Sequence, residues 1–279
     1  MTTLADCAVE PRVSGSGVTD RSYRIPSHVH VCVTGDGSVL LDLKRDKYFG
    51  IGRQDTLHLA AVVEGWPKLS REYNLDESRS REDAERICRT MLDEGLLLRA
   101  GTPALERFSK RRGTENSTNG APVGWRAESR IDMTAPFVSV GDELEVGADI
   151  RFMHVVRVAA AYAWALYSLR GRPLMATVEA VRAQKNRRPE AGAHWDLERI
   201  ASLIDIFRRL RPYLFAAEGR CLVHALTIVR FLGSHGVYPD WVIGVATQPW
   251  GAHSWVQWGN YLLDTNPEKV CRYTPILVV

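Results

Sequence analysis

The sequence predicts an α+β protein built in two units: a small winged-helix-like unit of three strands plus helices, then a larger unit that runs from helices into strands. Three observations predict it. Residues 28 to 34 alternate apolar and polar positions at strand period, two further short strand-like segments follow to residue 52, and then two helical stretches. A polar, turn-forming run, Gly113 to Pro122, interrupts the chain. The last third changes from helical periodicity to short apolar segments separated by Gly, Pro and Asn.

The predicted elements follow in order. His28 to Thr34 is a strand with Val29, Val31 and Val33 on one face, and Gly35-Asp36-Gly37 turns the chain. Val39 to Asp42 is the second strand and Lys47 to Gly52 the third, separated by a tight turn at Lys44-Arg45-Asp46. A helix from about Gln54 to Glu64 is stopped by Gly65 and Pro67. A second begins at Ser80, whose hydroxyl can cap the Asp83 N–H, carries Ile87, Met91 and Leu92 inward, and ends at Gly95. Residues 22–100 form this unit and 101–149 the linker, where periodicity is lost. Residues 150–279 form the second unit. Within it Ile150 to Leu169 and Leu197 to Tyr213 read as helices, and Trp241 to Ala246, His253 to Trp258 and Tyr261 to Asp264 as strands.

Bulk composition narrows the function classes. The chain has 279 residues, 45% hydrophobic and 25% charged, as expected of about two soluble domains with two cores. Lys plus Arg number 36 against 33 Asp plus Glu, so a net charge of +3 argues for neither nucleic acid nor membrane as partner. Five scattered cysteines without a CxxC pair fit a reduced, cytoplasmic chain. The N-terminus carries Asp6 and Glu10 and no apolar run, unlike a signal peptide. The most apolar stretch, Val155 to Leu169, falls short of the roughly 20 residues of a membrane span and reads as a buried helix.

The chemistry-bearing residues lie in the second unit. Cys221 opens an apolar helical run, Leu222, Val223, Leu226, Val229 and Leu232, closed by Gly233 and Gly236. A thiol there faces the unpaired N–H groups and positive dipole end of a helix, which stabilise negative charge on sulfur and can bind an oxyanion. His253 heads one strand and Asp264 ends the next, so a hairpin through Gly259-Asn260 makes them neighbours. Cys221 as nucleophile, His253 as base and Asp264 as orienting acid match the transglutaminase-like arrangement of papain-type cysteine enzymes. His224 is a rival base, because positions three apart share a helix face. A neighbour on the same helix usually points along the axis, which favours His253.

Other chemistries are weaker. His28, His30 and Cys32 share a strand face, but three alternate strand residues rarely converge on one ion, so no metal site is expected. No GxxxxGK[ST] phosphate loop occurs, and no cofactor is expected. The would-be recognition helix Arg81 to Glu94 carries three basic residues against five acidic ones, a poor surface for DNA phosphates.

The segments Cys221-Leu-Val-His-Ala-Leu, Val242-Ile-Gly-Val, Ala252-His-Ser-Trp-Val and Leu263-Asp resemble the leader peptidase of lasso-peptide biosynthesis, from roughly Ile150 to the C-terminus. Family members often have Arg at the position of His224 and Glu at that of Gln257. The resemblance carries the triad onto Cys221, His253 and Asp264, and makes Leu222 and Trp255 the expected oxyanion or supporting residues. Leu40-Leu-Asp-Leu-Lys-Arg-Asp-Lys-Tyr-Phe-Gly resembles the PqqD-like precursor-recognition element, here fused. That resemblance implies that a ribosomally made precursor docks its leader as an added strand along Lys47, Tyr48, Phe49, Gly50 and Ile51, against Ile87 and Met91. The implied reaction is hydrolysis of the leader–core bond, with an ATP-dependent macrolactam synthetase as partner. The basic stretch Arg170 to Arg211 could face that partner or only solvent. Amine-directed acyl transfer through the same thioester and a non-catalytic leader-presenting scaffold are the alternatives.

Overall fold

The computed structural model describes residues 22–69, 81–101, 136–140, 147–186, 197–214 and 220–279. The Gly113 to Pro122 run, the Ser80 cap and most of the expected linker lie outside them.

The N-terminal unit is built on a meander of β2 (Val29–Thr34), β3 (Gly37–Asp42) and β4 (Lys47–Gly52), in the order β2-β3-β4, so β4 is an edge. The short β1 (Tyr23–Arg24) stands apart, between β5 (Val63–Glu64) and β6 (Leu98–Arg99). Two turns set the meander's register. Gly37 has φ +151°, and a Cβ there would meet the Ile51 carbonyl oxygen at 2.0 Å, so only glycine fits. At the β3–β4 turn the Asp42 carboxylate accepts the Lys44 and Arg45 N–H groups at 2.8 and 3.2 Å, and Asp46 adopts φ +56°.

Every residue of β3 is buried, because both faces of the sheet are covered. Val29 and Leu40 pack against α1 (Arg53–Val62) and α2 (Arg81–Asp93) through Leu59, Cys88 and Met91. Cys32, Val39, Leu41 and Leu43 point the other way and join the core of the C-terminal unit. The second, wholly separate core expected from length is therefore small, and the larger one spans both units. Polar contacts seal this junction. Leu174 N donates to Asp46 Oδ1 at 2.7 Å, Met175 N to Leu43 O at 2.9 Å, and Thr247 Oγ1 to Asp36 Oδ2 at 2.8 Å.

The C-terminal unit is a five-stranded sheet, β11-β8-β9-β10-β7, with helices on one face. Its long strands are β8 (Asp240–Thr247) and β9 (Trp250–Trp258), an antiparallel pair; β10 (Tyr261–Leu262) and β11 (Thr274–Val278) flank them. β7 (Val138–Ser139) lies inside the span expected to be linker and pairs parallel with β10, so that span ends as part of the sheet. The helices are α3 (Phe152–Leu169), α4 (Leu174–Lys185), α5 (Leu197–Leu210), α6 (Cys221–Ser234) and the short α7 (Pro267–Val270). α6 is apolar nearly all round and sits centrally, burying Ala225, Leu226, Ile228, Phe231 and Leu232. Each such large side chain contributes about 1.5–3 kcal/mol by leaving water.

α3 departs from expectation. Its sequence is apolar enough to be read as a buried helix, but only Val158, Ala161, Ala165 and Ser168 are buried; Phe152 is 80% exposed and Tyr167 60%. Tyr162, Trp164 and Leu169 pack partly on the core, and Phe152, Met153, Val155, Val156, Leu166 and Tyr167 form a face turned outward.

Candidate active site

Cys221 is the first residue of α6, half-buried, with Arg220 at the N-cap making no side-chain cap bond. The first intrahelical bond runs from His224 N to Arg220 O at 2.9 Å. The N–H groups of Cys221, Leu222 and Val223 precede that ladder and are the donors a helix start offers to negative charge. Leu222 itself packs its side chain on the large core, so its contribution to an oxyanion site is its backbone N–H.

β9 carries the other candidate. His253, Trp255 and Gln257 alternate onto one face of the sheet. Their pairing partners put Val242 and Gly244 on that face too, and Trp255 packs there with Val242, Leu262 and Val270. Val256, on the alternate face, joins the helical core. His253 is buried between Trp255 and Tyr273, with ring centroids at 6.1 and 5.3 Å. Its Nε2 has no hydrogen-bond partner among the described residues. Burial, aided by the nearby Lys269 charge, lowers its pKa to about 4 and keeps the ring neutral at pH 7. Trp255 is fully buried and donates its indole N–H to Gln257 Oε1 at 2.7 Å, while Gln257 Nε2 donates to Gly259 O at 2.8 Å. Trp255 thus ties the strand to its turn while supporting one side of His253.

Asp264 is placed differently from the sequence expectation. Tyr261 pairs with Trp258 and Leu262 with Gln257, and Leu263 N donates to Val256 O, a register that, carried one residue further, falls at Trp255 and short of His253. The hairpin pivots between Gly259 and Asn260; counting from Gly259 alone makes the two residues appear level. The Asp264 carboxylate accepts the Val256 N–H at 3.0 Å and lies 3.7 Å from Nδ1 of His224. No ion pair joins it to His253 among the described residues. The His224 ring stacks on Phe207 at 5.5 Å. The separation of His224 and Asp264 suits an ion pair, but both groups are desolvated. Burial, then Arg211, Lys269, Arg208 and His253, lowers His224 to about 4, and burial pushes Asp264 up to about 7 despite the Val256 bond. We assign a neutral imidazole facing a carboxyl that titrates near neutrality.

The expected leader-binding residues divide between two faces of β4. Phe49 and Ile51 lie with Ile87 and the buried Met91 on the helix side of the meander. Lys47 and Gly50 are exposed on the edge strand. Tyr48 turns away from that group and packs on the C-terminal core, edge-on to Trp250 at 5.7 Å. Burial raises its pKa to about 12, with the negative charge of Cys221 the next largest cause. Strand alternation was the signal that could have separated Tyr48 from Phe49. Among the described residues no group of three or more His, Cys, Asp or Glu could hold a metal ion; His30 and Cys32 lie at the junction between the units.

The C-terminal unit thus sets a thiol at a helix N-terminus and a histidine on the adjoining antiparallel sheet, the residue types that cysteine-dependent acyl transfer uses. Residues 155–278 match the family model described as the Transglutaminase-like superfamily, so the C-terminal part of the chain is a transglutaminase-like domain. The match covers α3 through β11, including Cys221, His253 and Asp264, and stops short of the N-terminal meander. No curated protein and no solved structure matches the chain.

Proposed function

We propose that the chain is a cysteine peptidase that removes the leader from a ribosomally made lasso-peptide precursor. The observation that carries this reading is Cys221, half-buried at the start of α6, within the transglutaminase-like domain. The Cys221 thiolate attacks the carbonyl carbon of the leader–core bond. His253 takes the thiol proton and returns it to the leaving core amine, and the leader is held as a thioester. Water then adds to the thioester, His253 accepting its proton, and leader and free thiol are released. Asp264 supports the polar surroundings.

The pairing of Asp264 with His224 favours a second assignment, in which His224 is the base and Asp264 orients it. The unpartnered Nε2 of His253 favours the first, because a catalytic base must keep a nitrogen free for the proton it receives.

The PqqD-like role of the N-terminal unit rests on the resemblance and on β4, an edge strand bonded only to β3. An extended leader added there would pair its backbone with β4 and lie beside Phe49, Ile51 and Ile87. A macrolactam synthetase would then close the released core.

Precursor incubated with enzyme and no amine acceptor, followed by mass spectrometry, tests the reaction. Free leader and free core are expected, and both must disappear with Cys221→Ala. Leader recovered only as an amide of added amine would make the enzyme an acyltransferase. Uncleaved precursor that still binds would leave a presenting scaffold.

A further inference from the structure

Six of the nine large hydrophobic side chains exposed among the described residues belong to α3: Phe152, Met153, Val155, Val156, Leu166 and Tyr167. At about 100° per residue, Phe152, Val156, Ala163 and Tyr167 fall on one arc, and Val158, Ala161 and Ala165 fall opposite, in the core. The exposed arc runs the length of an 18-residue helix and is interrupted by no charge. Isolated exposed apolar residues need no explanation, but a contiguous strip of this length marks a surface that something covers.

Charge selects what covers it. From Ile150 to Pro173 the chain has four arginines, Arg151, Arg157, Arg170 and Arg172, and no acidic residue. Arg151 stands at one end of the strip, and Arg170 and Arg172 at the other, all exposed. Arg172 also bonds the Tyr167 hydroxyl at 2.8 Å, which keeps a guanidinium at the rim of the apolar face. Beside the arc a cavity of about 350 Å³ is lined by Arg157, Arg230, Trp164 and Tyr238, with no acidic side chain in its wall. A second copy of the chain does not fit. Two α3 helices laid side by side bring arginines to arginines whether they run parallel, Arg151 to Arg151, or antiparallel, Arg151 to Arg170 and Arg172.

We propose that α3 seats the protein on an anionic lipid surface, its apolar arc sunk among the headgroups and its terminal arginines on lipid phosphates. The proposal departs from the sequence expectation of no membrane partner. The helix has the length and apolarity of a membrane span, but its opposite face is built into the protein core, so it lies in the interface and does not cross the bilayer. Interfacial helices of this kind bind through buried apolar area together with attraction of Lys and Arg to anionic lipid.

Flotation of the full chain with phosphatidylcholine vesicles containing roughly 30% phosphatidylglycerol tests this. The protein should float with these vesicles, and weakly with pure phosphatidylcholine. The double variant F152E/V156E should lower the bound fraction about tenfold. R170E/R172E should lower it on anionic vesicles and leave the small neutral-vesicle fraction unchanged. All four positions are exposed, so melting temperature and alkylation of Cys221 should match the unsubstituted protein. Absence from the anionic-vesicle layer would overturn the proposal, as would binding that F152E/V156E leaves intact. So would a dimer in solution, by light scattering, that F152E/V156E dissociates, because the strip would then be a self-association face.

Discussion

The carboxylate of Asp264 lies 3.7 Å from Nδ1 of His224, on α6 one turn beyond Cys221, while His253, between two aromatic rings, has no partner at Nε2 among the described residues. Two histidines thus flank the same sheet with opposite endowments: one is held, the other is free to take a proton. Cys221→Ala and His253→Ala should abolish leader release. Asp264→Asn should leave a measurable remainder, since its carboxylate accepts the Val256 N–H and faces His224 rather than the base His253. His224→Ala should lower kcat by less than His253→Ala at unchanged folding, read by circular dichroism. The reverse order of the two histidines would move the base to His224.

The buried histidines His30, His224 and His253 and the half-buried His235 make stability depend on pH. His224, His235 and His253 are lowered to about 4 and His30 to about 3, each chiefly by burial, against an ordinary value of 6.5. Between roughly pH 4 and 6.5 the unfolded chain binds more protons at these sites than the folded one, so their contribution is present above 6.5 and lost as pH falls. Asp264, raised to about 7, has the opposite slope: its contribution is present in acid and lost as pH rises through 7. Four groups outweigh one, so the melting temperature should climb from pH 4.5 to 6.5, and Asp264→Asn should steepen the climb. A flat profile in calorimetry would contradict the burial of these rings.

Asp46 joins the two units. Pro173 offers no side-chain cap to α4, and the Asp46 carboxylate fills that place by accepting the Leu174 N–H. Asp46→Ala should cost about 1 kcal/mol in urea unfolding, as loss of a helix cap does, and Asp46→Asn should recover most of it because Asn keeps the acceptor and tolerates positive φ. Chain nicked by protease between the units should still elute as one species in gel filtration, since Cys32, Val39, Leu41 and Leu43 would otherwise be bared to water. Separation of the fragments would show that the junction is too weak to hold them.

Several features were legible in the sequence because local chemistry dictates them. The meander from Val29 to Gly52 follows from strand alternation and from turns at Gly35-Asp36 and Lys44 to Asp46, and α6 from an apolar run opened by Cys221 and closed by glycines. What escaped depended on distant partners. β11 contains Pro275 and is a strand because β8 pairs with it; β7 is two residues long and exists only beside β10. α4 buries Leu174, Thr177, Val178, Val181 and Gln184, and the polar Thr177 and Gln184 on that face hide its period. The composition of α3 could not reveal whether its apolar surface is packed inside or turned outward, since both give the same residues. The Asp264 register turned on where the hairpin pivots, a difference of a single residue in the turn.

Gly244 lies opposite His253, and a Cβ there would stand 2.7 Å from the Trp255 ring and 2.9 Å from Tyr273 Cβ. Gly244→Ala must therefore displace the two aromatics that hold His253. We expect about 1–3 kcal/mol of destabilisation from overpacking, together with a fall in kcat, measured by urea unfolding and steady-state cleavage. Normal stability and turnover would mean that the aromatic bracket does not position His253.

Neighbouring residues of β4 should give opposite kinetic signatures, because the strand turns successive side chains to opposite faces. Phe49 and Ile51 face the α2 side with Ile87, where a docked leader would gain remote binding energy. Tyr48 faces the other unit, against Trp250, its pKa raised by burial and then by the charge of Cys221. Binding energy gained equally in ground and transition states appears in KM, whereas a group whose charge couples to that of the thiol acts on the chemical step and appears in kcat. The Ile51→Ala, Ile87→Ala double variant should raise KM about tenfold and hold kcat, provided far-ultraviolet dichroism shows an intact domain. Tyr48→Ala should lower kcat with little change in KM, and the alkylation rate of Cys221 should shift with it, which mere loss of leader docking would not cause. If Tyr48→Ala instead raises KM alone and leaves the thiol's reactivity untouched, Tyr48 belongs to the leader groove, and the division of β4 into a docking face and a catalytic face is wrong.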